Sequence, residues 1–129
     1  MEKTFIDFEM SSTDSHIKFN TIGELENNKI RFVDEELNKH YIVCHKKTIE
    51  YYKLGSMDMK FVFDKFIVST GTYRVDNNTF KFDILTTKLE NTSNGLFIEY
   101  KLFQDDEIVN ESKLYIKYSI TEEEFECKA

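Results

Sequence analysis

The string "HYIVCH" (residues 40–45) gathers the most reactive side chains of the sequence, His40, Cys44 and His45. Read as a strand, it puts His40 and Cys44 on one face and His45 on the other. Same-face residues four positions apart on a strand stand roughly 13 Å from each other, too far to share one zinc ion. A tetrahedral site needs three or four ligands, and His16 is the one further histidine. A Cys–His nucleophile pair would need a cross-strand contact that spacing alone does not establish. The carboxylate runs Asp34-Glu35-Glu36, Asp105-Asp106 and Glu122-Glu123-Glu124 fall in turns or in the C-terminal tail, where solvation accounts for them. The glycines, Gly23, Gly55, Gly71 and Gly95, form no phosphate-cradling loop. No metal, no cofactor and no catalytic set are expected, and an enzyme is the least favoured class.

A second pattern concerns binding. In "YYKLGSMDMKFVFDKF" (51–66), Met57, Met59, Phe61 and Phe63 occupy every second position. Such a face either packs a core, since Met fills irregular gaps, or lines a pocket. Gly55-Ser56 fits a two-residue type II′ turn, which pairs Leu54 with Met57, Tyr52 with Met59 and Glu50 with Phe61. That register turns Glu50 and Tyr52 inward and Tyr51 and Lys53 outward. An inward carboxylate needs a mouth or a partner; otherwise the strand twists Glu50 to water or the register differs. In the later hairpin, Leu102 is placed opposite Ile108, Tyr100 opposite Asn110 and Ile98 opposite Ser112. Small polar groups there either orient a ligand or mark a bulge near the rim. The candidate ligand-binding residues are Glu50, Tyr52, Met57, Met59, Phe61, Tyr100 and Asn110.

The elements that must position these residues are strands. Turn signals arrive every 8–12 residues with period-two segments between them, the pattern of a sandwich or barrel. Strands are predicted at about 3–10, 15–24, 28–34, 40–46, 48–54, 57–64, 65–75, 79–87, 95–103 and 108–120. Connections this short make neighbours antiparallel, and closure removes the exposed edges. The expected fold is all-β: a closed or nearly closed antiparallel meander barrel of 8–10 strands, calycin- or lipocalin-like. Residues 1–120 form one domain and 121–129 an acidic tail.

Composition bounds the function. The 129 residues are 15% aromatic, ample for a core. With 24 acidic against 17 basic residues and a net charge of −7, the chain lacks the basic footprint of a nucleic-acid binder and the polybasic segment that favours an anionic membrane. The cysteines, Cys44 and Cys127, suggest free thiols rather than a disulfide framework. "MEKTFIDFEM" has acids interrupting its apolar run, unlike a signal peptide, so a cytoplasmic setting is expected.

The ordered segments "IKFNTIG" (17–23), "YYKLGSMDMKF" (51–61), "STGTY" (69–73), "FDILTT" (82–87), "GLFIEYKL" (95–102) and "LYIKY" (114–118) resemble the YwiB-like family, a bacterial family of unknown function. Its pattern of a basic residue, a spacer, a glycine and then Met-x-Phe is matched by Lys53, Gly55, Met59 and Phe61, with Lys53 standing where Arg is more typical. The resemblance implies a calycin-like β-barrel and a bacterial cytoplasmic setting, and no activity. The leading functional expectation is a module binding a small apolar ligand in the barrel, as a monomer or weak homodimer. The alternative is a protein-interaction or structural module acting through its acidic surface or a barrel edge.

Overall fold

The computed structural model describes residues 2–119, and every regular element among them is a β-strand. The ten strands are β1 (Glu2–Ser12), β2 (His16–Glu26), β3 (Lys29–Val33), β4 (Lys39–Cys44), β5 (Thr48–Leu54), β6 (Asp58–Asp64), β7 (Ser69–Val75), β8 (Asn78–Thr92), β9 (Gly95–Gln104) and β10 (Glu107–Ser119). Each pairs antiparallel with its sequence neighbours, and β1 pairs with β10 to close the barrel. The predicted acidic tail, 121–129, lies outside the described residues. The alternation that defines the strands is visible in their burial: Leu96, Ile98, Tyr100 and Leu102 of β9 point inward, as do Ser112, Leu114 and Ile116 of β10.

Because consecutive strands reverse, the odd-numbered ones all run toward one end. Two of the hairpins there turn on left-handed aspartates, Asp76 (φ 54°) and the pair Asp105 (φ 52°) and Asp106 (φ 66°), a residue type that tolerates this region. The β5–β6 connection differs from the predicted type II′ turn. No glycine has positive φ, and Lys53 pairs with Met59, Tyr51 with Phe61 and Ile49 with Phe63. Gly55 serves closeness instead: a Cβ on it would collide with the Asn38 side chain. The resulting one-residue change of register exchanges the two faces of β5. Tyr51 and Ile49 go inside, while Glu50 and Tyr52 go outside. In β9–β10 the turn pairs Ile108 with Phe103, one step from the predicted partner, and a bulge between Ile108 and Asn110 adds a second step, so Asn110 faces Leu102 and Ser112 faces Tyr100. A shift of two keeps both polar residues on the inner face.

Ten strands enclose more space than the eight whose interiors side chains just fill. The end away from the odd-strand hairpins is packed by Ile6, Ile30, Ile42, Ile49, Phe63, Ile84, Leu96, Ile98, Leu114 and Ile116, each at most 1% exposed. Gly71 lets the ring of Phe61 lie against the opposite strand, since a Cβ there would sit 2.6 Å from Phe61 Cδ1. Toward the other end the filling stops.

Candidate functional site

The unfilled end is a cavity of about 540 Å3 opening between the odd-strand hairpins, within the size range of small-molecule sites. The apolar part of its wall is mainly aromatic and thioether, with Phe8, Met10, Phe19, Met57, Met59, Phe61, Tyr73, Phe82 and Tyr100. Of the sequence-predicted residues, Met57, Met59, Phe61, Tyr100 and Asn110 line this cavity together. Glu50 and Tyr52 do not. On the outer face Glu50 accepts from His45 at 2.8 Å and from the Tyr52 hydroxyl at 3.3 Å, and Lys60 lies over the Tyr52 ring at 5.5 Å. The period-two alternation holds along both strands, but the β5–β6 turn gives β5 the opposite phase to a type II′ turn.

One wall of the cavity holds a polar array that sequence reasoning missed. Asp34 follows β3 and opens the β3–β4 loop. Its Oδ1 accepts the backbone N–H groups of Glu36 and Asn38, each at 2.9 Å. Its Oδ2 accepts from Asn38 Nδ2 at 3.1 Å and from His40 Nε2 at 2.9 Å. His40 begins the inner face of β4, 3% exposed, stacked on Phe32 at a centroid distance of 4.6 Å. Its Nδ1 lies 2.7 Å from the hydroxyl of Tyr51, itself 1% exposed.

The proton positions follow from the charges. Burial pushes the Asp34 carboxyl up, but the hydrogen bonds from His40 and Asn38 outweigh it and hold the group at about 2. Burial pulls the His40 imidazole below its ordinary value, and the opposing pull of Asp34 does not restore it. At neutral pH, therefore, a carboxylate faces a neutral imidazole. Asp34 has no proton to give, so His40 carries its hydrogen on Nε2, and the bare Nδ1 takes the Tyr51 hydroxyl as donor. The order is Tyr51 O–H to His40 to Asp34. Burial raises the Tyr51 phenol well above its usual range, so it stays protonated, with that proton committed to His40. Across the cavity, burial raises Tyr100 to about 12, partly opposed by a hydrogen bond from Ser112.

The two histidines and the cysteine of "HYIVCH" divide between the two faces. His45 points outward to Glu50. Cys44 is a half-buried free thiol packed on the core, its pKa raised by burial, which disfavours a thiolate nucleophile. Among the described residues no group of three or more His, Cys, Asp and Glu side chains could hold a metal ion.

Charge is distributed along the barrel axis. The hairpin residues at the mouth, 13–15, 34–38, 55–57, 76–77 and 105–106, contain Asp14, Asp34, Glu35, Glu36, Asp76, Asp105 and Asp106 and no lysine or arginine. The connections at the opposite end, 27–28, 45–47, 65–68 and 93–94, contain Lys46, Lys47 and Lys65 and no acid. The mouth is the negative pole.

A closed ten-stranded antiparallel barrel, packed at one end and open at the other with a buried Tyr–His–Asp array, defines the structural class. Residues 4–116 match the family described as "Domain of unknown function (DUF1934)", and the chain belongs to that family. The fold is similar to that in the "Crystal structure of ywiB protein from Bacillus subtilis", at 12% identity and a TM-score of 0.71 over 93% of this chain and 92% of that one. The YwiB-like resemblance read from the ordered motifs holds. The chain matches no curated protein, and no helix among the described residues is long and apolar enough to cross a membrane.

Proposed function

We propose that the protein is a binding module for a small, largely apolar ligand held in the open end of a calycin-like barrel, in a cytoplasmic setting. The observation that carries this reading is the division of the interior. One end is packed to exclusion of solvent, while the other keeps about 540 Å3 bounded by aromatic and Met side chains. A wall of that composition with a few fixed polar groups is what ligand sites present. Native mass spectrometry of gently purified protein, compared with the denatured chain, tests it. A mass lost on denaturation supports the reading. A bare chain that also fails to bind the neutral fluorophore N-phenyl-1-naphthylamine in titration overturns it.

A second reading, a protein-interaction module, has its own observation. The β2–β3 ladder is confined to Glu24–Glu26 against Lys29–Arg31, with one further hydrogen bond from the Thr21 hydroxyl to Val33 O, although β2 continues to His16 along β1. A partner strand adding beside residues 16–20 would extend the sheet there. Proline at Asn20 abolishing capture of a specific partner, with the fold retained, is the expected result.

A further inference from the structure

We propose, resting on the ligand-binding reading, that the cavity selects organic cations: a ligand with an apolar body among the aromatic side chains and an ammonium group directed at Tyr51 and the acidic rim. Three features converge. Tyr51 is among the lining residues, and its hydroxyl proton is committed to His40, so toward a ligand that hydroxyl can act only as an acceptor. An ammonium carries donors only, whereas a carboxylate carries acceptors only and would leave that oxygen facing another lone pair.

The charge of the wall agrees with this polarity. Asp34, Glu35 and Glu36 stand on the same side of the cavity as Tyr51, against Lys53 alone as a cationic lining residue. Lys53 is half-buried and lies near His40, where it contributes to lowering that imidazole. It is outnumbered by the three carboxylates, and the hairpin acids around the opening add to their field. Such a field concentrates cations at the opening and repels anions.

The aromatic lining supplies the third feature. A cation over a ring face is attracted by its quadrupole, most strongly where water is excluded. The rings of Phe8 and Phe19, stacked at 4.8 Å, and of Phe61 and Tyr100, edge to face at 6.2 Å, lie on the cavity wall. A carboxylate over the same faces is repelled.

The test uses four ligands of one shape, 2-naphthylmethylamine, 2-naphthalenemethanol, 2-methylnaphthalene and 2-naphthoate, each displacing N-phenyl-1-naphthylamine from the full chain at pH 7.5. The expected order is amine, alcohol, hydrocarbon, carboxylate, with the amine at least tenfold tighter than the carboxylate in low salt and the gap narrowing as salt screens the rim. Glu35→Gln with Glu36→Gln, both exposed and remote from the core, should narrow the amine–carboxylate gap without changing the melting temperature. Tyr51→Phe should narrow the gap between amine and hydrocarbon. Equal affinities for all four, or a preference for the carboxylate, overturn the cation proposal and leave ligand binding standing. Failure of the fluorophore and of all four to bind overturns both.

Discussion

The hydroxyl of Tyr51 reaches His40 Nδ1 at 2.7 Å although the two residues are diagonal rather than opposite on β4 and β5, where His40 pairs with Lys53 and Ile42 with Tyr51. Long side chains can close that diagonal, and Phe32 and Phe8 hold the imidazole in place from the other side at 4.6 and 5.5 Å. The array is therefore a structural unit as well as a cavity wall. Tyr51→Phe leaves Nδ1 without its donor and should destabilise the protein by about 1–2 kcal/mol, the cost of an unsatisfied buried acceptor. Asp34→Ala removes a charged acceptor from His40 and Asn38 and should cost about 2–3 kcal/mol. Both act through His40, so urea denaturation of the double variant should give less than the sum. Strict additivity would show that the two hydrogen bonds are independent.

Acid should weaken the fold in two separate windows. His40 is buried neutral, with its folded pKa below 6.5. The unfolded chain thus takes up this proton first as pH falls, and the stability present above pH 6.5 declines below it. Asp34 is held at about 2 against an ordinary 3.8. Its contribution is present above 3.8 and is lost as pH falls from there toward 2. Melting temperatures measured from pH 8 to pH 3 should show the first decline in the native protein and a shallower one in His40→Gln. Identical profiles would mean that His40 titrates alike in both states.

The half-packed interior predicts unequal responses to one substitution at two places on one strand. Leu96 and Leu102 both face inward on β9, but Leu96 is 1% exposed at the packed end while Leu102 borders the cavity. Leu96→Phe overpacks and should cost about 1–3 kcal/mol. Leu102→Phe places its extra volume in open space, should cost less than about 1 kcal/mol, and should weaken binding of N-phenyl-1-naphthylamine. Equal costs in chemical denaturation would mean that the mouth is as tightly packed as the base.

These contrasts also mark what the sequence could reveal. Strand number and antiparallel order were legible because alternation and turn residues are local signals: "GLFIEYKL" reads the same in the chain and in the barrel. The cavity residues of β6 and β9 were legible for the same reason. The phase of β5 was not, because "LGS" carries the composition of a type II′ turn, while Gly55 is needed for its approach to Asn38, a tertiary contact. With the phase went Tyr51. Asp34 looked like one more solvated acid in "DEELN", and its role depends on a hairpin that folds its carboxylate back onto Asn38 and His40. The spacing Asp34-x-x-x-Asn38-x-His40 was visible, but nothing local distinguishes it from an ordinary polar loop.

That loop carries a strained residue. Leu37 adopts φ 66°, a left-handed conformation that costs an L side chain such as Leu about 1–2 kcal/mol, and its side chain is 78% exposed, so no packing compensates. The conformation is imposed from both sides: Leu37 N–H donates to Asp34 O at 3.1 Å, and Asp34 N–H donates to Asn38 O at 3.0 Å. The strain therefore supports the turn that aims Asp34 at His40. Asparagine tolerates this region better, and Leu37→Asn keeps every backbone hydrogen bond of the loop. It should stabilise the protein by about 1 kcal/mol, a rise of roughly 3–5 °C in Tm for a chain of this size, with the Asp34 array and its pH dependence unchanged. Leu37→Pro cannot reach positive φ and should break the turn, releasing Asp34 from His40. A Leu37→Asn variant that melts lower than the native protein would mean that the exposed Leu side chain makes a stabilising contact in solution, and would turn attention to what it touches at the mouth of the barrel.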